Sequence, residues 1–281
     1  MKYKLGIIGY PLGHSISPII QKAGFESIGL DVQYDIMETQ PDELVDRLKY
    51  VKDNDYQGFN VTIPLKVPVQ FFLNDTDKYA QIAGCVNTVK ISGEHKEAIG
   101  YNTDIYGFKT AIPANVDLTG TNACVLGTGG ASRAASVGLI ERGVTSIHFY
   151  TRNLLNAQKP VNFLRDNFPK VKFEVSQIQN IVELPESSIV VNATPIGMKG
   201  FAADEQPLSN SVIRKLKKST IVYDIVYNPL TTMLLKSAQD EGLQVIEGLD
   251  MLLYQAQRAI QIWTGRTPDV KEMKIAALRN L

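Results

Sequence analysis

The run CVLGTGGASRAA, Cys124 to Ala135, limits the possible folds more than any other part of the chain. A β-branched apolar stretch meets glycines at 127, 129 and 130 and passes into small helix formers, the order of strand, tight turn and helix. Gly127 permits the turn, and Gly129 lets backbone approach a pyrophosphate. The amides of Gly130 and Ala131 would face its negative charge at the helix N-terminus. Ser132 stands where the third glycine of GxGxxG belongs, so a purely structural glycine turn is the competing reading.

The surroundings suit the nucleotide-binding alternative. Strand candidates follow at Ser146–Tyr150, Lys172–Val175, Ser188–Asn192 and Thr220–Ile225, after the first at Asn122–Leu126, with helical spacing between them. Ahead of this series lie Lys4–Ile8, Val32–Ile36 and Gly58–Thr62, again alternating with helices, so the first half reads βαβαβ. Alternation of this kind predicts an α/β protein with parallel sheets covered by helices. Ser17 with Pro18 marks a helix start, serine as the cap and proline at the first helical position. The next helix presents Leu44, Val45, Leu48 and Val51 on one face. A last long helix carries Leu249, Leu252, Leu253, Ala256, Ile260 and Trp263, with Gly265 as its C-cap.

A length of 281 residues predicts two domains. The motifs divide them into an α/β domain from residues 1–104 and 241–281 and a dinucleotide-binding domain over 105–240. The last helix then returns to the first domain. Twenty-nine basic residues balance twenty-nine acidic ones without a like-charge run, which argues against a nucleic-acid partner. The apolar run before Gly9 is too short for a signal peptide, and no stretch reaches the length of a membrane helix. A cytoplasmic protein with no membrane association is expected. Cys85 and Cys124 are isolated and read as small buried residues. His14, His95 and His148 are scattered, so no metal site is expected.

About 20 residues beyond the glycine turn, an NAD-binding chain normally carries an acid that reads the ribose. Here the segment is Thr151, Arg152, Asn153, with no Asp or Glu from Ile147 to Arg165. A guanidinium there suits a 2′-phosphate, which predicts NADP, although a single arginine also suits a solvated loop. In the first half, GFNVTIPLK breaks at Pro64 and leaves Lys66 at the carboxyl end of a strand, where α/β proteins place ligands. Asn102, Thr103 and Asp104 form a polar turn within IGYNTDIYGF. Lys66 and Asp104 are candidates for chemistry; a solvated lysine and a helix-capping aspartate remain the simpler alternative.

Five segments taken together, GYPLGHSISP from Gly9, GFNVTIPLK from Gly58, AGCVNT from Ala83, GYNTD from Gly100 and LGTGGASRA from Leu126, resemble the shikimate dehydrogenase family. VNATPIGM from Val191, YDIVYNPLTTMLL from Tyr223 and GLDMLLYQAQRAIQIWTG from Gly248 extend the resemblance over essentially the whole chain. It implies that Ser15 and Ser17 bind a substrate carboxylate. Thr62, Lys66, Asn87, Asp104 and Gln255 would surround the ring hydroxyls, with Tyr227 nearby. Thr194, Gly248 and Met251 join Gly127, Gly129, Gly130, Ala131, Thr151, Arg152 and Asn153 on the cofactor side, Met251 against the nicotinamide. The chain departs from the family at Gln21 and Lys22, where HN is common, and at Asn156, where a further basic residue is common.

The implied reaction is reversible reduction of 3-dehydroshikimate to shikimate by NADPH, on the way to aromatic amino acids, by a monomer or homodimer. A lysine can stabilise and protonate the oxygen that gains charge as hydride arrives, and a neighbouring carboxylate favours its ammonium form. Two alternatives stay open. One is a quinate/shikimate dehydrogenase that accepts quinate or uses NAD; the other is a non-catalytic nicotinamide-binding regulator, against which the retained Lys66 and Asp104 argue.

Overall fold

The computed structural model describes residues 2–13, 15–184 and 186–281; His14 lies outside them. The chain forms two compact units, Met1–Gly107 with Leu253–Leu281, and Phe108–Leu252. It passes between them inside two helices, so the first division falls close to the motif-based one near residue 105, while the second, after Leu252, lies well beyond the one near residue 240.

The first unit contains β1 (Lys2–Gly9), α1 (Ser17–Ser27), β2 (Asp31–Glu38), α2 (Leu44–Asp53), β3 (Gly58–Val61), β4 (Asp75–Thr76), α3 (Lys78–Ala83), β5 (Thr88–Ser92) and β6 (Glu97–Tyr101). Helix α4 (Asp104–Ala111) leaves it. Its strands form one six-stranded sheet in the order β2-β1-β3-β5-β6-β4. The expected parallel βαβαβ core is present, with β1 parallel to both β2 and β3. The remainder corrects the expectation of a parallel sheet: β5 runs antiparallel to β3 and to β6. These added strands are short and interrupted by glycine and charge, so their period is hard to detect in the sequence.

That reversal decides where the functional residues stand. Asn60 pairs with Thr88, and Thr88 with Tyr101. The end of β3, the beginning of β5 and the end of β6 therefore share one edge of the sheet. Close packing holds β3 there: a Cβ on Gly58 would lie 2.3 Å from the Val89 carbonyl oxygen and 2.4 Å from the Trp263 indole nitrogen. The same indole donates to Val89 O at 2.9 Å.

Two local expectations change. The N-cap position of α1 is Ile16, which makes no side-chain cap, and the Ser15 hydroxyl rather than that of Ser17 accepts a helix amide, from Ser17 N at 3.3 Å. On α2 only Leu44, Leu48 and Val51 are buried, the i, i+4, i+7 face; Val45 is 57% exposed, because it lies about 100° around the helix from Leu44.

The second unit contains β7 (Asn122–Leu126), α5 (Gly130–Glu141), β8 (Ser146–Thr151), α6 (Leu154–Asn167), β9 (Lys172–Gln177), β10 (Ile189–Asn192), α7 (Asn210–Ile213), β11 (Ile221–Asp224), α8 (Met233–Asp240) and β12 (Gln244–Ile246), then α9 (Gly248–Thr264). Its sheet is parallel throughout, in the order β12-β11-β10-β7-β8-β9. This is the doubly wound order, whose direction reverses between β7 and β10. Strand β12, three residues long, has no counterpart among the sequence expectations. Of the expected apolar stripe of α9, Leu249, Leu253, Ala256, Ile260 and Trp263 are buried and Leu252 is half-buried. Gly265 ends the helix at φ +75° with its amide on Gln261 O. From Leu253 onward the helix belongs to the first unit, which α10 (Val270–Leu278) completes. No helix among the described residues is long and apolar enough to cross a membrane.

Candidate active site

At the shared edge of the first sheet, the chain leaves β3 through Thr62 and the cis Ile63–Pro64 bond. Leu65 is fully buried and its amide donates to Thr62 O at 2.8 Å, while Val86 N donates to Lys66 O at 2.8 Å. The backbone around Lys66 is thus fixed to the residue that follows β3 and to the segment that leads into β5. The side chain, 18% exposed, donates to Asp104 Oδ2 at 2.5 Å, and the Asp104 side chain is 7% exposed.

Asp104 opens α4, at the helix end where negative charge is favoured. Its role is not that of the capping side chain: Asn102 Oδ1 accepts Ile105 N at 3.2 Å, leaving both Asp104 oxygens for side chains. Oδ1 accepts from Asn87 Nδ2 at 2.8 Å. The same nitrogen lies 2.9 Å from Thr103 Oγ1 and 3.3 Å from Gln255 Oε1. Lys66, Asp104, Asn87 and Gln255, distant in sequence, thus form one hydrogen-bonded group. Ser15, Ser17 and Thr62 are half-buried in the same unit; Thr62 is the first residue beyond β3, and its amide is held by Ile8 O.

A partly buried ammonium beside a carboxylate has the chemistry to protonate an oxygen that gains negative charge. Buried amide and hydroxyl groups around it suit a small polyhydroxylated molecule better than an apolar one. Sequence reasoning overlooked Asn60 and Thr88 and gave Thr103 no role beyond its polar turn; all three are buried and hydrogen-bonded into this group. The available signal was a polar residue inside an apolar strand run, as at Asn60 in GFNVTIP.

The second unit carries its functional candidates at the switch point of its sheet. Gly127 follows β7 at φ +101°, and its amide donates to Tyr150 O at 2.7 Å. A Cβ there would meet the Ala193 carbonyl oxygen at 3.1 Å and the Thr194 methyl at 3.2 Å, at the end of β10. Gly129 is the N-cap position of α5, and open space surrounds the site of its missing Cβ. Ser132 does more than fill the third-glycine position: its hydroxyl donates to Gly127 O at 2.7 Å and closes the turn. A glycine turn with vacant space before a helix N-terminus, Gly130 and Ala131 leading, fits a dinucleotide pyrophosphate.

Thr194 is anchored, its hydroxyl donating to Asn192 Oδ1 at 2.7 Å. At the end of β8, Thr151 is buried and Arg152 exposed. Asn153 caps α6 by accepting the amides of Leu155 and Asn156 at 3.0 and 3.2 Å. Gly248 begins α9 with its absent Cβ 2.3 Å from Ile225 O, so glycine is required there for packing. Met251 is 5% exposed. Tyr227 lies between β11 and α8, and burial raises its hydroxyl above the ordinary range. Among the described residues no three His, Cys, Asp or Glu side chains group as metal ligands would.

Residues 7–89 match the model of the shikimate dehydrogenase substrate binding domain, and residues 248–278 that of the shikimate 5′-dehydrogenase C-terminal domain. A shikimate dehydrogenase (NADP(+)) of Archaeoglobus fulgidus is 38% identical over 277 residues, covering 99% of this chain and 98% of the relative. A crystal structure of a shikimate dehydrogenase in complex with NADP+ superposes with a TM-score of 0.89 at 35% identity, covering 99% of this chain and 95% of that one. The Thermus thermophilus shikimate 5-dehydrogenase in complex with NADP(H) and shikimate gives 0.86 at 32% identity, covering 99% and 100%. Similarity of this extent, in sequence and in fold, means that the chain belongs to the shikimate dehydrogenase family.

Proposed function

We propose that the chain is an NADP-dependent shikimate dehydrogenase, catalysing the reversible reduction of 3-dehydroshikimate to shikimate. The observation that carries this reading is the Lys66–Asp104 pair, held by Asn87 and reached by Gln255 at one sheet edge. Bound NADPH supplies the hydride that arrives at the ketone carbon. The Lys66 ammonium stabilises the charge developing on the ketone oxygen and passes a proton to it; in the reverse direction the neutral amine takes that proton back. Asp104 accepts from Lys66 and from a substrate hydroxyl, which orients both.

The remaining assignments belong to the same reading. Ser15 and Ser17 hold the substrate carboxylate, while Thr62, Asn87 and Gln255 bind the ring hydroxyls, with Tyr227 close to them. Gly127, Gly129, Gly130 and Ala131 cradle the pyrophosphate. Thr151, Arg152 and Asn153 read the adenosine phosphate, and Thr194, Gly248 and Met251 border the nicotinamide half. The unit of Met1–Gly107 with Leu253–Leu281 takes the substrate, and the unit of Phe108–Leu252 takes the cofactor. The protein works in the cytoplasm as a monomer or homodimer, without a nucleic-acid or membrane partner.

The test is a matrix of initial rates, shikimate and quinate each with NADP and NAD. Fastest turnover with shikimate and NADP is expected. Preference for quinate or for NAD would replace the reading with a quinate/shikimate dehydrogenase, and no turnover in any combination would favour a nicotinamide-binding regulator.

A further inference from the structure

Behind the Lys66–Asp104 pair runs a line of polar side chains, half-buried at Tyr34 and buried beyond it, whose hydrogen-bond polarity is fixed at its two asparagines. Asn87 Oδ1 lies 2.7 Å from Thr103 N, a group that can only donate, so the Asn87 amide nitrogen must face Asp104. Asn60 Nδ2 lies 3.3 Å from the Asn87 backbone carbonyl, which can only accept, so Asn60 is oriented as well. It follows that Asn60 Nδ2 donates to Thr88 Oγ1 at 3.0 Å, and Asn60 Oδ1 accepts from Tyr34 Oη at 2.6 Å and from Gln21 Nε2 at 3.2 Å. Having accepted, Thr88 has its own proton to give, with Asn87 Oδ1 3.2 Å away and Thr103 Oγ1, itself joined to Asn87, at 3.3 Å. With the Thr88 proton given to Asn87, the dipoles from Tyr34 through Asn60, Thr88 and Asn87 all point toward the Asp104 carboxylate.

We infer that Thr88, Asn60 and Tyr34 are positioning residues for the reduction: through this ordered line they hold the Asn87 amide against Asp104 and so set the carboxylate that carries Lys66. Aligned hydrogen bonds in a poorly solvated interior strengthen one another, so a break far from the carboxylate is felt at it. The inference rests on the proposed function for its kinetic consequence, but the line itself is a property of the folded chain.

Steady-state kinetics on Thr88→Val, Thr88→Ser, Tyr34→Phe and the double variant Tyr34→Phe/Thr88→Val tests it. Loss of one buried donor predicts a kcat about fivefold lower for Thr88→Val and about twofold lower for Tyr34→Phe, with the KM for NADPH unchanged. Thr88→Ser keeps the hydroxyl and restores kcat. The double variant falls no further than Thr88→Val, because members of one line are not additive. Full kcat in Thr88→Val, an equal loss in Thr88→Ser, or multiplying losses in the double variant would each overturn the inference.

Should Thr88→Val not fold, Tyr34→Phe and Thr88→Ser decide alone: a twofold loss in the first with none in the second sustains the line, and wild-type kcat in the first refutes it. A wild-type chain that does not reduce 3-dehydroshikimate would instead overturn the proposed function. The line is then read from the Asn87 side-chain amide resonance in 15N-asparagine-labelled protein. Movement of that resonance in Tyr34→Phe supports the line, and an unmoved resonance removes it.

Discussion

Each unit buries an aspartate where a strand of its sheet ends, and the two are treated in opposite ways. Asp104, at the start of α4, has the Lys66 ammonium on one oxygen and the Asn87 amide on the other. Asp224, the last residue of β11, is fully buried and among the described residues accepts from neutral groups alone: Thr232 Oγ1 at 2.6 Å, Asn192 Nδ2 at 2.9 Å and Val226 N at 3.0 Å. Burial without a cation pushes its carboxyl up to about 6, against the hydrogen bonds that pull it down. Hydrogen bonds alone can locate a buried carboxyl, and here they tie the loops after β10 and β11 together. A partner that can give up a proton is what makes such a group useful in catalysis.

Removing that partner has the largest expected effect. Lys66→Ala leaves Asp104 with neutral partners, like Asp224, and turnover should fall roughly 100-fold or more while NADP affinity, measured by fluorescence titration, changes little. Near-normal turnover would end the assignment.

The converse change acts on stability. Between roughly pH 4 and 6 the folded chain keeps a proton on Asp224 that the unfolded chain releases, so this group lowers stability as pH rises through that window. Its stabilising protonated form is complete only below the unfolded value. At ~1.36 kcal/mol per pKa unit, the advantage of wild type over Asp224→Asn should shrink by about 2–3 kcal/mol between pH 4 and 7. Urea unfolding across that range measures it, and a constant difference would show that Asp224 does not titrate as described.

In the second unit, chemical selectivity is assigned to the turn region instead of the buried cluster. Arg152→Ala should weaken NADP roughly 10- to 100-fold, the scale of a charge-assisted contact, and leave NAD almost unaffected. Equal losses for both cofactors would refute the phosphate clamp. The smallest effect is expected at Thr232, which both donates to Asp224 and caps α8 by accepting Leu235 N. Thr232→Val should cost about 1–2 kcal/mol in urea unfolding with kcat preserved. A matching fall in kcat would mean that the cluster reaches the chemistry after all.

How much could be foreseen differed between the units for a physical reason. In the second, strand, glycine turn and helix are contiguous, the central strands β7, β10 and β11 are nearly continuous apolar runs, and five of six strands are visible in the sequence. In the first, β4, β5 and β6 are short and partly polar, and they escaped the periodicity argument. Lys66 and Asp104 could be named from their places at a strand end and in a polar turn. Their grouping with Asn87 and Gln255 could not be derived from spacing, and only the family resemblance implied it.

By itself the sequence determined the α/β class, the glycine turn at Gly127–Gly130, the apolar stripe of α9 and the candidacy of Lys66 and Asp104. These follow from local sterics and periodicity, which act over a few residues. The antiparallel insertion of β5 was decided by tertiary structure, and with it the meeting of residues 38 positions apart in the Lys66–Asp104 bond and 168 apart in the Asn87–Gln255 bond. So was the direction of the hydrogen bonds from Tyr34 to Asp104. Each depends on which strands become neighbours, a choice made by the packing of the whole unit.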